Sequence, residues 1–313
     1  MTPVRSTVGA VLAGADVSRS GGAVRVRRGL AALFVLYALL LAGLSIGHGS
    51  APTIGQLVLL LVGVSLLGDF SARFIRDWGL VVAGFFAYGL SAEYAHKLEL
   101  PTYYAPQVDA ERLLFFGSVP TVWLQDRLYD GTTGPLELFA IAMYASHLAV
   151  PLLLGVYLWL RRLNHAFFEL ACALITTSVL ASIVFVLAPT APPWLASEAG
   201  YIEPVHHILR LGLLDLGLTS LGEMIGNPSR YNVVAAFPSL HAAFPLVSLT
   251  VAMRARLPRW VIAVLAVQCA AVWFSIVYTG DHYVVDILAG GVVAAAGVFL
   301  VRRLLGSVAE ATA

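Results

Sequence analysis

Apolar residues in this chain come in unbroken runs, without the three-and-four spacing of an amphipathic helix. The runs fall at about 29 to 46, 55 to 70, 78 to 92, 136 to 160, 166 to 188, 237 to 253, 259 to 279 and 283 to 301. About 20 apolar residues cross the hydrocarbon layer of a bilayer as a helix. An open strand leaves its backbone groups without partners in lipid, so each run predicts a helix. The pattern predicts an all-α, polytopic integral membrane protein with about eight transmembrane helices, or six if the second run and the short third form a re-entrant pair.

The stretches between the runs set the organisation. Residues 1–28 are polar and Arg-rich and read as a disordered cytosolic tail with no cleavable signal. Residues 29–92 hold the N-terminal membrane helices, 93–135 a cap loop, 136–303 a membrane core that includes the loop 189–236, and 304–313 a second tail. Both long loops mix aromatic, Pro and apolar positions, as in Pro189-Thr-Ala-Pro-Pro-Trp194, which is not linker composition. Short amphipathic helices are expected over 110–116 and 205–214.

Composition agrees with a membrane protein: 59% of the 313 residues are hydrophobic and 12% are charged. The net charge of +1 says little, but its distribution gives an orientation. With the N-terminus in the cytosol, 14 of the 19 basic residues face the cytosol, including Arg73, Arg161, Arg254 and Arg302. Lys97, Arg112, Arg127, Arg210 and Arg230 are left outside. This bias predicts a multi-pass protein of the plasma membrane with both termini cytosolic. His241, His282 and Asp286 then lie at extracytoplasmic helix ends. Cys172 and Cys269 fall inside apolar runs and read as packing residues.

The stretch 273–291 carries the strongest chemical signal. His282 and Asp286 are four residues apart, on one helical face, with Asp286 a turn inside the last run. A carboxylate there is costly and needs a partner. It can take the proton on one ring nitrogen of His282 and leave the other as nucleophile or base. The same pair also reads as a structural bond pinning the helix. His241 follows Pro238, which suits a first helical turn, so free backbone N–H groups there can hold a phosphate beside an acid. A structural interfacial histidine is the competing reading. Two histidines and an aspartate can also bind zinc, but HxxxD is not a zinc signature, so no metal or other cofactor is expected.

Other positions are assigned more simply. Asp281 reads as the N-cap of the last helix. His147 lies eleven residues into the fourth run, about 16 Å from its outer end, and either lines a deep cavity or bonds a neighbouring helix. His206 and His207 read as surface residues. The small residues from Ala289 to Gly297 predict a central, closely packed helix.

Pro238-Ser-Leu-His241 and Ser275-Ile-Val-Tyr-Thr-Gly-Asp-His282-Tyr-Val-Val-Asp286 resemble the second and third signature motifs of the type 2 phosphatidic acid phosphatase superfamily, over about 136 to 303. The resemblance implies that His282 is a nucleophile forming a phosphohistidine, that Asp286 orients it, and that His241 protonates the leaving alcohol. Ser239 and Tyr278 stand within these motifs and, with His147, are assigned to substrate binding. The departures are informative. No Lys is followed six residues later by Arg-Pro, Ile276 follows Ser275 where the family has Arg, and Leu240 replaces Gly. Phe237-Pro-Ser-Leu-His241, Pro189 to Trp194, and Tyr144-Ala-Ser-His147 are instead similar to the fungal inositol phosphorylceramide synthase branch and its bacterial relatives.

That branch implies a lipid phosphate or polyprenyl phosphate substrate, a polyol acceptor such as inositol or else water, and no nucleic acid. The oligomeric state is left open. The missing cations must be replaced, because phosphoryl transfer relies on charge stabilisation. Arg230 is the first candidate, then Arg210, Arg112 and Arg127, while Arg161 and Arg162 lie on the wrong face. A transporter or scramblase that binds headgroups without breaking a bond is the alternative, and it has no need of the pairing between Asp286 and His282.

Overall fold

The computed structural model describes residues 100–227 and 233–311 together with positions 36, 39, 40, 43, 77–79 and 81, with backbone alone beyond 304. The first three apolar runs, apart from those positions, and Arg230 lie outside the described residues. The chain divides into two compact units, Met1–Leu80 and Val81–Ala313. In the first, Leu36, Leu39, Leu40, Gly43 and 77–79 are helical. The rest concerns the second.

Its helices, in chain order, are α1 (Ala105–Leu114), α2 (Pro120–Leu128), α3 (Pro135–Leu160), α4 (Asn164–Leu187), α5 (Pro193–Glu198), α6 (Ile208–Asp215), α7 (Thr219–Ile225), α8 (Leu240–Arg254), α9 (Arg259–Tyr278) and α10 (Val284–Ala311). Among the described residues the only β pairing is two isolated bridges, so the architecture is all-α. Four helices, α3, α4, α9 and α10, are long and apolar enough to cross a membrane. Leu153, Ile183, Val267, Val292 and Phe299 stay exposed along them, a surface that lipid covers. The chain is an integral membrane protein.

These four helices follow the apolar runs to within a few residues at their first turns. The run at 237–253 behaves differently. Its helix starts at Leu240, not at Pro238, because Ser239 is the N-cap and its Oγ accepts the N–H of Ala242 at 3.2 Å. The loops contain α1 and α6 near the expected amphipathic segments, and also α2, α5 and α7, which the apolar pattern does not predict.

Helix length explains how the loops reach inward. With 15 residues α8 is about 22 Å long, against about 39 Å for the 26 residues of α3. The far end of α8 is tied level with the start of α4, where Arg254 Nε donates to the buried Glu169 Oε1 at 2.6 Å. The other end of α8 therefore opens roughly 15 Å short of the level where α3 starts. The cap folds into that recess. Thr190 N–H donates to the Val234 carbonyl at 2.7 Å, and Tyr103 N–H to that of Pro189 at 2.8 Å, while Thr190 Oγ1 accepts the Phe237 N–H at 3.1 Å. Three distant segments thus fix the chain just ahead of α8.

The last helix is held from two sides. A Cβ on Gly297 would lie 2.3 Å from Thr177 Oγ1 of α4, and one on Gly290 would lie 2.4 Å from the Ser239 carbonyl oxygen. Such contacts need small residues. At its first turn, Glu111 of α1 accepts the Val285 N–H at 2.9 Å through Oε1. Glu111 is fully buried, and that burial pushes its carboxyl from 4.5 up to about 7, against the pull of the Val285 N–H and helped by the nearby Asp286 charge.

A folded-state value raised above the unfolded one contributes stability that is complete below about pH 4.5 and is lost as pH rises through about 7. The span corresponds to a loss on the order of 3 kcal/mol. Glu111→Gln keeps the acceptor and removes the charge. Its melting temperature is expected to stay level from pH 5 to 7.5 while the parent's falls. Parallel curves for the two proteins would show that Glu111 does not titrate in this window.

Candidate active site

The site forms where α8 and α10 begin. At the end of α9, Gly280 turns the chain with φ +86°, a conformation that a side chain disfavours. A Cβ there would also come within 2.9 Å of the His206 carbonyl. The N–H groups of Asp281 and His282 both return to the Ile276 carbonyl, at 3.1 and 3.0 Å, which fixes His282 before α10 starts. The junction to α8 is direct, since Ser239 N–H donates to the Asp286 carbonyl at 3.0 Å.

Three side chains then form a line. Asp286 Oδ2 lies 3.4 Å from His282 Nδ1 and accepts the Tyr283 N–H at 2.8 Å, so its position is fixed by backbone as well. His282 Nε2 lies 2.9 Å from His241 Nδ1. Asp286 and His282 are buried. With the proton of His282 Nδ1 directed at the carboxylate, Nε2 carries the lone pair and His241 Nδ1–H is the donor to it. The line therefore offers a nucleophilic nitrogen and a proton donor side by side.

The cavity beside them is about 80 Å³ and is lined by Tyr144, Trp194, His207, His241, Asp281 and His282 among others. That is space for a handful of waters, at about 10–15 Å³ each. Among the described residues lining it there is no Lys or Arg.

The family model described as the PAP2 superfamily matches residues 108–300, from α1 into α10. The chain belongs to this superfamily. As a PAP2 member it is also 31% identical over 160 residues to the phosphoinositol dihydroceramide synthase of Bacteroides thetaiotaomicron. The alignment takes in 49% of this chain and 52% of that protein, so the chain spans about half the length of the curated relative it matches. No solved structure matches. The two matches bear out the resemblance to the inositol phosphorylceramide synthase branch that the motifs carry.

The other assigned residues are placed as follows. His147 does not line the cavity; it stands behind His241, ring centroids 4.2 Å apart, with its Nδ1 bonded to the Tyr144 carbonyl. Its depth in α3 matches the recessed mouth of α8, which the apolar pattern does not reveal. Ser239 is fully buried and caps α8. Tyr278 is fully buried outside the cavity lining and donates its hydroxyl to Glu137 Oε1. Arg210 is half-buried, packs against Gly226 and is not among the described lining residues. Arg112 pairs with the exposed Glu203 at 3.8 Å, and the Arg127 guanidinium covers the Trp123 ring at 4.2 Å.

Two readings change. Asp281 is not an N-cap, since α10 starts at Val284; its Oδ2 accepts the Thr279 hydroxyl at 2.6 Å and its Oδ1 lies 3.2 Å from His207 Nε2. His207 is not a surface residue, for its side chain is 9% exposed and its ring lies flat on Trp194, centroids 4.6 Å apart. Gln125 of α2, for which the sequence carries no local signal, joins the site's surroundings. It donates to the carbonyls of His206 and Tyr278 at 2.9 and 2.8 Å and accepts the His206 N–H at 2.8 Å, which locks this loop to the end of α9.

Proposed function

We propose that the chain is a lipid phosphatase or phosphotransferase of the extracytoplasmic membrane face. The observation that carries this is the line Asp286, His282, His241, with 2.9 Å between the two imidazoles. His282 Nε2 attacks phosphorus, the bond from phosphorus to the leaving oxygen breaks, and His241 Nδ1–H passes its proton to that oxygen. Phosphorus must come between the two nitrogens, so the rings part as the phosphate enters. Water or an alcohol then attacks the phosphohistidine, gives its proton back to His241, and frees His282. Asp286 holds the His282 tautomer throughout, and no metal is needed for any of these steps.

The acceptor and location follow from chemistry and charge. The name of the matched relative, phosphoinositol dihydroceramide synthase, supports transfer of a phospho-headgroup to or from a polyol such as inositol. Hydrolysis of a lipid or polyprenyl phosphate uses the same line with water as acceptor. The basic residues at the Arg161 and Arg254 ends of the helices support a cytosolic location for those ends, and hence an outward-facing site in the plasma membrane.

The test is to incubate the purified protein with a panel of lipid and polyprenyl phosphates, with and without inositol, and to separate released phosphate from transferred product. A transferase gives a new phospho-polyol or phospholipid only when both substrates are present. Binding or movement of lipid with neither product formed would mean a carrier.

A further inference from the structure

The cavity holds a second histidine–aspartate pair that the line of His241, His282 and Asp286 does not use. His207 comes from the loop before α6 and Asp281 directly precedes His282, yet Nε2 of the one is 3.2 Å from Oδ1 of the other. Both side chains are about nine-tenths buried, at 9% and 11% exposure, and both line the cavity with His241 and His282. Thr279 fixes the second carboxylate oxygen at 2.6 Å, and Trp194 fixes the plane of the imidazole, 3° from parallel. The pair is held on every side except one. Nδ1 of His207 is buried and has no hydrogen-bond partner among the described residues.

A buried polar nitrogen without a partner is costly, and such groups point to a ligand. The ligand's charge follows from the surroundings. With hydrogen on both ring nitrogens, the imidazole gives one to Asp281 and directs the other at an acceptor. A phosphoryl group at His282 presents anionic oxygens, and the described lining offers them no Lys or Arg. We infer that His207, held by Asp281 and Trp194, is the group that binds the non-bridging oxygens of the phosphate in this cavity. It thereby supplies a phosphate contact in a sequence that lacks both the family's Lys with its Arg-Pro and the Arg after Ser275. Asp281 is a positioning residue, acting through His207.

This inference rests on the proposed phosphoryl-transfer reading, so its test begins with the parent protein. Orthovanadate mimics pentavalent phosphorus, and its binding is read as a rise in melting temperature of the detergent-solubilised full chain, without any turnover. No rise in the parent would overturn the phosphoryl-transfer reading itself. If the parent binds, His207→Phe keeps the stack on Trp194 and removes both nitrogens. It is expected to weaken vanadate binding at least tenfold, read as the ligand-induced rise above the variant's own unliganded melting temperature. Asp281→Asn is expected to weaken it less, and His207→Arg to recover part of the loss by restoring a cation.

Parent-like vanadate affinity in His207→Phe would overturn the assignment. So would a variant that still hydrolyses lipid phosphate with the parent's KM and loses only transfer to inositol, because the pair would then serve the acceptor. Should His207→Phe fail to fold, His207→Arg and Asp281→Asn decide: vanadate affinity equal to the parent's in Asp281→Asn and lower in His207→Arg overturns it.

Discussion

Turnover is expected to fall by at least roughly 10⁴-fold in His282→Ala, with the fold retained. Alanine cannot form the proposed phosphohistidine, and the cavity and His241 then supply positioning alone. The backbone bonds that place residue 282 do not involve its ring: its N–H still returns to Ile276, and Asp286 still accepts the Tyr283 N–H. What is lost is a partner for His241 Nδ1 and one for Asp286, a cost of about 1–3 kcal/mol for each group left buried and unpaired. Phosphate release by the purified variant and its melting temperature check the two halves of this expectation. Substantial turnover in the variant, together with sensitivity to chelators, would move the chemistry from a phosphohistidine to a metal-held water.

What was legible in the sequence was whatever is encoded locally or by composition. Runs of apolar residues gave α3, α4, α9 and α10 because a bilayer-spanning helix has no other way to satisfy its backbone. The pairing of His282 with Asp286 was legible because both lie within one helical turn of the start of α10. The meeting of His241 with His282 required only that two helix mouths share one membrane face. The rest depends on contacts between distant segments. His207 and Asp281 are 74 residues apart, Gln125 and Tyr278 are 153, and Glu111 and Val285 are 174. No periodicity records such pairs. The local pattern around His207 is a polar pair at a loop end, which is the pattern of a surface, and Asp281 before a helix is the pattern of an N-cap. The recess at α8 depends on the level to which Arg254 and Glu169 tie the helices, and a run length of seventeen residues hides it. A signal did exist for Trp194: two prolines before a tryptophan in a loop favour a rigid aromatic platform, and His207 is what rests on it.

Gly290→Ala is expected to reduce turnover about 100-fold, whereas Gly291→Ala next to it leaves activity unchanged. Alanine is the better helix former by roughly 0.5–1 kcal/mol at either position, so local propensity predicts a gain for both. The surroundings separate them. A Cβ at 290 would sit 2.4 Å from the carbonyl oxygen of Ser239, a backbone atom with no rotamer to escape into. Ser239 is also bonded to the Asp286 carbonyl through its N–H, and it caps the helix that begins with Leu240 and His241. Relieving the clash therefore pushes the mouth of α8 away from α10 and moves His241 from His282. A displacement of about 1 Å at reacting groups costs on the order of 10²-fold in rate, and the overpacking itself costs about 1–3 kcal/mol. At 291 the nearest atom is Leu246 Cδ2 at 3.8 Å, an ordinary contact, so Gly291→Ala is expected to melt at or above the parent temperature. Turnover and melting temperature of the two variants decide the point. Full activity in Gly290→Ala would mean that the spacing of the two histidines is set from the cap, through Thr190 and Phe237, and not by the contact of α10 with Ser239.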